Sequence, residues 1–325
     1  MSSNKSFKRK MLIVDKDFQT RFILKFIKIA LVGGIISTFI ILVFYYFTYK
    51  YKGKDLYRYL IEVGSDNRID YNIRDKNGKT PIFYAKDSKI VNILIQKGAD
   101  INIADNSGNT ILHIAALEDR LDLARIYIEN GIRINQTNKE GKKAIDLYID
   151  KYKSSPLHWF AGIEDTEEMV RLIAEGKYDI NVTDDKGRTP LHIAATYGRV
   201  DAIHLLLSQK ASPSIKDNEG FTPMYSYINS YLSSPIAWYI ILGDKDNLLK
   251  EIKANKDKIN FQDKDGNTPL HLAISLMNTD FVKILIQNGA DPAIVNNSGK
   301  SCLELAQETK NFNIIKILYT YYQSE

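Results

Sequence analysis

Residues 187–217, GRTPLHIAATYGRVDAIHLLLSQKASPSIKD, set the terms for the rest of the chain. Gly187 permits a tight turn with positive φ. Thr189 is placed to cap a helix, with Pro190 at its first position, where a missing N–H costs nothing. Leu191, Ile193, Ala194 and Ala195 give that helix an apolar face, and Gly198 ends it. Val200, Ile203, Leu206 and Leu207 mark a second helix by their spacing. Two short helices and a turn cannot bury a core alone, so such a unit needs like neighbours on both sides. The chain supplies them: GNTILHIAA at 108–116 and GNTPLHLAI at 266–274 are near copies, and KGADIN at 97–102 matches NGADPA at 288–293.

The residue that opens each copy falls at Thr80, Thr110, Lys143, Ser155, Thr189, Thr222, Ser234, Thr268 and Ser301, with spacings of 30, 33, 12, 34, 33, 12, 34 and 33. The run 12, 34, 33 occurs twice, so a 79-residue unit has been duplicated, as 143–221 and 222–300. Trp159 and Trp238 are counterparts, as are Ser155-Pro156 and Ser234-Pro235. The 12-residue pieces, AIDLYIDKYK and PMYSYINSYL, each predict an extra helix with no second helix behind it. Tyr148, Tyr152, Tyr225, Tyr227 and Tyr231 make these two helices aromatic. They read as packing at an irregular joint or as a tyrosine-rich binding seam.

The T-P-L-H-x-A-A pattern, the glycine turn and the G-A-D exit together resemble the ankyrin repeat, whose period is about 33 residues. The match holds at fixed phase over roughly 70–325. The resemblance implies an all-α helical solenoid with short hairpin loops, which binds other proteins and has no catalytic residues of its own. It also implies that His113, His158, His192 and His271 are structural brackets, bonded to the Thr or Ser of their own repeat. Phe83 and Ala237 replace the histidine in two repeats, which are expected to be less rigid. His204 reads as a surface or inter-repeat residue.

Ahead of the array, residues 29–49 carry no charge over 21 positions. As a helix they span about 31 Å at ~1.5 Å per residue, matching a hydrocarbon core of ~30 Å. Lysines flank both ends and Tyr45, Tyr46, Tyr49 and Tyr51 form an aromatic belt. The expectation is an uncleaved single-pass anchor, with 1–28 as a basic juxtamembrane segment and 50–70 as a linker and N-terminal cap helix, followed by the array at 71–325. Gly33, Gly34, Ser37 and Thr38 make small-xxx-small pairs that suggest a homodimer through that helix. Residues 1–28 hold eight Lys/Arg and residues 48–60 hold four. That bias puts the N-terminus in the cytoplasm and the array in the periplasm or outside the cell. The net charge of +5 also belongs to this segment, since residues 1–58 carry twelve Lys/Arg and three Asp. The array is mildly acidic, which argues against nucleic acid as a partner.

Chemistry is hard to find in the repeats. Cys302, the one cysteine, excludes an internal disulfide and reads as a half-buried structural thiol. Asp184-Asp185 and Asp263…Asp265 sit beside glycine as turn formers, without the pattern of a calcium loop. No phosphate-binding glycine loop, His-Glu-x-x-His or nucleophile elbow is present. The reading is therefore no enzyme, no cofactor and no metal. A membrane-anchored, bacterial ankyrin scaffold that holds a protein partner is expected; the alternative is an exported or host-directed effector whose apolar N-terminus serves secretion. In the family, hairpin tips and the ends of first helices line the binding face. Here those positions include Lys186, Arg188, Tyr197, Phe221, Asn267, Ser275 and Leu276. Phe221 stands out, because its counterparts Arg188, Asn267 and Lys300 are polar.

Overall fold

Each repeat begins with a residue that stops the chain being extended and starts it being helical. In the computed structural model, which describes residues 70–324, Thr110, Thr189 and Thr268 are extended, with φ between −81° and −85° and ψ between 166° and 172°. The helices they open are α2 (Ile111–Leu117), α7 (Pro190–Thr196) and α12 (Pro269–Ser275). The second helices are capped differently: Asp87, Asp165, Asp244 and Asn278 accept backbone N–H groups at the starts of α1 (Ser88–Gln96), α6 (Thr166–Ala174), α11 (Lys245–Ala254) and α13 (Thr279–Gln287). α8 (Val200–Ser208) has Arg199 in that place and no side-chain cap.

The described residues hold fifteen α-helices and no strand. They fall into two units, 70–118 with 126–144 and 119–125 with 145–324. The first contains a 3₁₀ turn at Pro81–Tyr84, α1, α2 and the end of α3 (Leu121–Glu129). Its hairpins join tip to tip, with Asn106 N–H donating to Asn77 O (2.8 Å) and Lys139 N–H to Ser107 O (3.0 Å). The second contains α4 (Ala144–Tyr152), α5 (Pro156–Ile163), α6, α7, α8, α9 (Pro223–Tyr231), α10 (Pro235–Leu242), α11, α12, α13, α14 (Cys302–Thr309) and α15 (Phe312–Ser324). There α7 packs between α5 and α9, and α12 between α10 and α14, while α6 packs on α8 and α13 on α15. That is the two-row stacking of a solenoid, and its core is two clusters of mostly aliphatic side chains, with Trp238 and Tyr227 in one of them.

Two places break the repeat. α4 and α9 each end on a left-handed residue that is not glycine, Lys153 (φ 50°) and Leu232 (φ 48°). The chain reverses there, Ser154 and Ser233 donate back to Ile149 and Ile228, and α5 and α10 start within three residues. With no hairpin on this side, the next hairpin bonds to the helix end instead. Asp185 N–H donates to Tyr152 O and Lys264 N–H to Tyr231 O, each at 2.9 Å. We call these the first and second joints.

The expected localisation is corrected. Among the described residues no helix is long and apolar enough to cross a membrane. The longest, α15, has 13 residues, about 20 Å at 1.5 Å per residue against a ~30 Å core. The anchor at 29–49, the basic segment 1–28, the pairs at Gly33, Gly34, Ser37 and Thr38, and the cap in 50–70 lie outside the described residues, save for Asp70. A single-pass membrane placement is therefore not carried forward.

Candidate protein-binding face

The histidines bind within their own stack. In His113, His158, His192 and His271, Nδ1 accepts the backbone N–H of Thr110, Ser155, Thr189 and Thr268 at 3.1–3.2 Å and faces the same residue's hydroxyl at 2.8–3.0 Å. Nε2 meets a carbonyl of the following hairpin, Lys142, Arg188, Phe221 or Lys300, at 2.8–3.2 Å. A carbonyl only accepts, so Nε2 carries the proton and the ring is the neutral tautomer. Burial holds His158, His192 and His271 below the ordinary imidazole range. Both ring nitrogens are committed to joining one repeat to the next.

Where the histidine is missing, the bracket fails. Thr80 Oγ1 and Ser234 Oγ are buried without a partner, and the Phe83 repeat opens with a 3₁₀ turn in place of an α-helix. The last repeat finds another solution: Glu304 accepts Ser301 N–H (2.7 Å) and its hydroxyl (2.8 Å). Cys302 is fully buried, where half-burial was expected, with Sγ 3.5 Å from His271 Nδ1. Burial pushes its thiol up to about 12, so it is protonated and inert at neutral pH. His204 joins repeats, its Nε2 donating to Ile241 O.

Three of the residues expected on the binding face converge on one that was not anticipated, Asp119. It ends α2's turn in the left-handed region, φ 56°. Its Oδ2 takes Arg188 Nη1 (3.0 Å) and Lys186 Nζ (3.4 Å), and its backbone O accepts the Tyr197 hydroxyl. Arg188 Nε also reaches Asp184 Oδ2 at 2.8 Å, and the Asp184 side chain is wholly enclosed. Burial opposes the guanidinium's charge, but Asp119 and Asp184 outweigh it and hold Arg188 above its usual range. Arg188 is thus only 14% exposed, a linchpin of the joint more than a surface contact. Lys186 remains half exposed, with Nζ 5.1 Å from the centre of the Tyr152 ring.

The remaining four lie apart from that cluster. Phe221 is half-buried and stacks on Tyr225 of α9, with ring centres 4.1 Å apart and planes 12° from parallel. Tyr225 is 46% exposed. Asn267 Oδ1 accepts from Asn296 Nδ2 at 2.9 Å. Ser275 is exposed and donates to His271 O, and Leu276 packs against the core of α12 and its neighbours. Asp184 and Asp263 act as turn formers, accepting the N–H groups of Lys186 and Arg188, and of Asp265 and Asn267.

Known proteins resolve the family. The model of ankyrin repeats matches in three copies, over residues 46–138, 141–231 and 236–324, most of the chain. The chain belongs to the ankyrin repeat family. The ankyrin repeat chain is 28% identical over 226 residues to the "Putative palmitoyltransferase ZDHHC13" of Danio rerio, covering 69% of this chain and 31% of that protein. It is 29% identical over 224 residues to "Palmitoyltransferase AKR1" of Lachancea kluyveri, covering 60% and 29%. It is 33% identical over 133 residues to "Neurogenic locus notch homolog protein 1" of Danio rerio, covering 41% and 5%. The chain therefore spans about a third of the length of the palmitoyltransferases it matches. These names correct the expectation that no enzyme is involved, because proteins named for an acyl transfer carry similar sequence over more than half of this chain. The repeats themselves imply protein–protein interaction.

Proposed function

We propose that the ankyrin array at 71–325 binds a protein partner on the face made by its hairpin tips and first-helix ends, around Lys186, Arg188, Tyr197, Phe221, Asn267, Ser275 and Leu276. The observation that carries this is the Phe221–Tyr225 stack. Six other hairpins place Lys79, Asn109, Lys142, Arg188, Asn267 or Lys300 where this one places an aromatic ring. Phe221 touches the inserted helix, yet the pair leaves Tyr225 in solvent. A rigid aromatic pair of this kind is the type of anchor that dominates interface energies, at about 2 kcal/mol or more per residue. Phe221→Ala and Tyr225→Ala in the whole chain, compared by partner recovery from source cells and by melting temperature, test the idea. Recovery is expected to fall about tenfold or more with little change in melting. Unchanged recovery with a lowered melting temperature would assign the pair to packing and end the proposal.

The palmitoyltransferase relatives favour a second reading, in which the partner is a protein that receives an acyl chain. Labelling with an alkyne palmitate analogue, in source cells with and without this chain, tests it. Loss of particular labelled proteins supports the reading, and an unchanged labelling pattern sinks it.

A further inference from the structure

The first joint gathers more polar side chains than its own hydrogen bonds satisfy. Tyr148 of α4 is fully buried, its ring 5.1 Å from Tyr152 and 5.5 Å from Trp159. Burial raises its hydroxyl far above the usual phenol range, and its electrostatic neighbours are Asp119, Arg188, Tyr197 and Asp184. Three buried atoms in this neighbourhood have no partner among the described residues: Tyr148 Oη, Arg188 Nη2 and Asp119 Oδ1. The last two belong to groups already joined at 3.0 Å through Nη1 and Oδ2, so both flank that one ion pair. Leaving such atoms unmatched is costly, about 1–3 kcal/mol for each neutral group and more for charged ones.

The second joint shows what the fold needs without them. Tyr227 replaces Tyr148, and Ser233 near it works against the rise that burial imposes on its hydroxyl. Gly198 and Asn267 stand where Asp119 and Arg188 stand. At the first joint Ser154, the counterpart of Ser233, is half-buried with its Oγ enclosed and unpartnered.

Around the Arg188–Asp119 pair the unmatched set is one certain donor, one certain acceptor and the Tyr148 hydroxyl. An anion there would face Asp119 and Asp184; a cation would face the guanidinium. A neutral molecule that accepts twice and donates at least once answers all three, and internal waters make about three such bonds. We propose that the first joint encloses an ordered water molecule that accepts from Arg188 Nη2 and Tyr148 Oη and donates to Asp119 Oδ1. The site stands on the joint's own side chains.

A crystal structure of the whole chain, at a resolution that shows ordered solvent and with a bromide-soaked companion, tests this. The expected result is one solvent peak within about 3.2 Å of all three atoms, without anomalous signal. Tyr148→Phe is expected to weaken or abolish that peak while Arg188 keeps its bonds to Asp119 and Asp184. Direct contact of Arg188 Nη2 with Asp119 Oδ1, no peak in the native protein, or a bromide signal would each overturn it. So would a peak of unchanged strength in Tyr148→Phe. If that variant fails to fold, long-lived water counted in solution by oxygen-17 relaxation decides: the native chain is expected to hold one more than the Asp119→Gly, Arg188→Asn variant, and equal counts reject the site.

Discussion

The two joints descend from one 79-residue unit and share a backbone. Each inserted helix ends on a left-handed non-glycine residue, each lends its last carbonyl to the next hairpin, and each packs a tryptophan, Trp159 or Trp238, against its tyrosine. Their interiors differ in kind. The first is held by ions: Asp184, Arg188 and Asp119, with His158 bonded to the Arg188 carbonyl. The second is held by rings: Tyr227 lies on Tyr231 with centres 5.1 Å apart, and Tyr231 carries Lys264 at 3.7 Å from its face. The Tyr231 hydroxyl then donates to Tyr197 O at 2.7 Å. Identical topology has been filled once by charge pairing and once by aromatic packing. The inserted helix therefore fixes the geometry and leaves the chemistry of the joint free to diverge.

The largest expected contrast comes from removing the charged linchpin. Arg188→Ala leaves Asp184, fully enclosed, without its cation, and leaves Asp119 only the half-exposed Lys186. Breaking a buried pair from one side costs about 3–5 kcal/mol. Asn267→Ala at the matching position removes hydrogen bonds at a half-buried site and costs about 1 kcal/mol. Urea denaturation of both variants gives the comparison, and equal losses would show that the first joint does not depend on its ions.

Exchanging the turn residue probes the second joint. Gly198 has φ 61°, and a Cβ placed on it would lie 2.3 Å from Tyr231 Oη and 2.4 Å from Cζ. Gly198→Asp, which installs the first joint's residue, must push Tyr231 off its bond to Tyr197. The expected cost is about 2–3 kcal/mol from overpacking and the lost hydrogen bond. A cost below about 0.5 kcal/mol would mean that the aromatic packing is loose.

Much of this was legible in the sequence. In the repeats opened by Ser155, Thr189 and Thr268, the proline that follows and the histidine two places later specify a helix start and its neighbour in one motif, and the other repeats keep its phase, so the helices and the duplication follow from spacing. Asp119 was not legible, because its partner Arg188 lies 69 residues away and an Asp in a turn has an ordinary local explanation. The available signal was positional. Asp119, Gly198 and Met277 each fall nine residues after a repeat's opening threonine, and all three adopt left-handed φ. Arg188 misled for a related reason, since a charge on a hairpin tip reads as solvent-facing until the carboxylates around it are seen.

Acid acts on several brackets together. His158, His192 and His271 titrate below 6.5 when folded, because burial disfavours their charged form. Above 6.5 they are neutral in both states and add no pH dependence. As pH falls below 6.5 the unfolded chain takes up protons that the folded chain refuses, so stability is lost down to the folded values. The first joint has a histidine at this position and the second has Ala237. His158→Ala is therefore expected to be less stable at pH 7.5 but to lose less further stability between pH 6.5 and 5. A variant with the same acid sensitivity as the native chain would remove His158 from this account.

The smallest contrast isolates one hydroxyl. Ser155 and Ser234 open equivalent helices, α5 and α10, in the same extended conformation. Ser155 Oγ lies 3.0 Å from His158 Nδ1, whereas Ser234 Oγ is buried with no partner because Ala237 offers none. Ser155→Ala is expected to cost about 1 kcal/mol, the worth of a buried hydrogen bond at a helix cap. Ser234→Ala removes a polar atom that is desolvated without return, so it is expected to be neutral or to stabilise by a few tenths of a kcal/mol, the order expected when no bond is lost. Paired thermal melts decide between them. If Ser234→Ala costs as much as Ser155→Ala, the serine at the second joint has a partner and the two joints are capped alike.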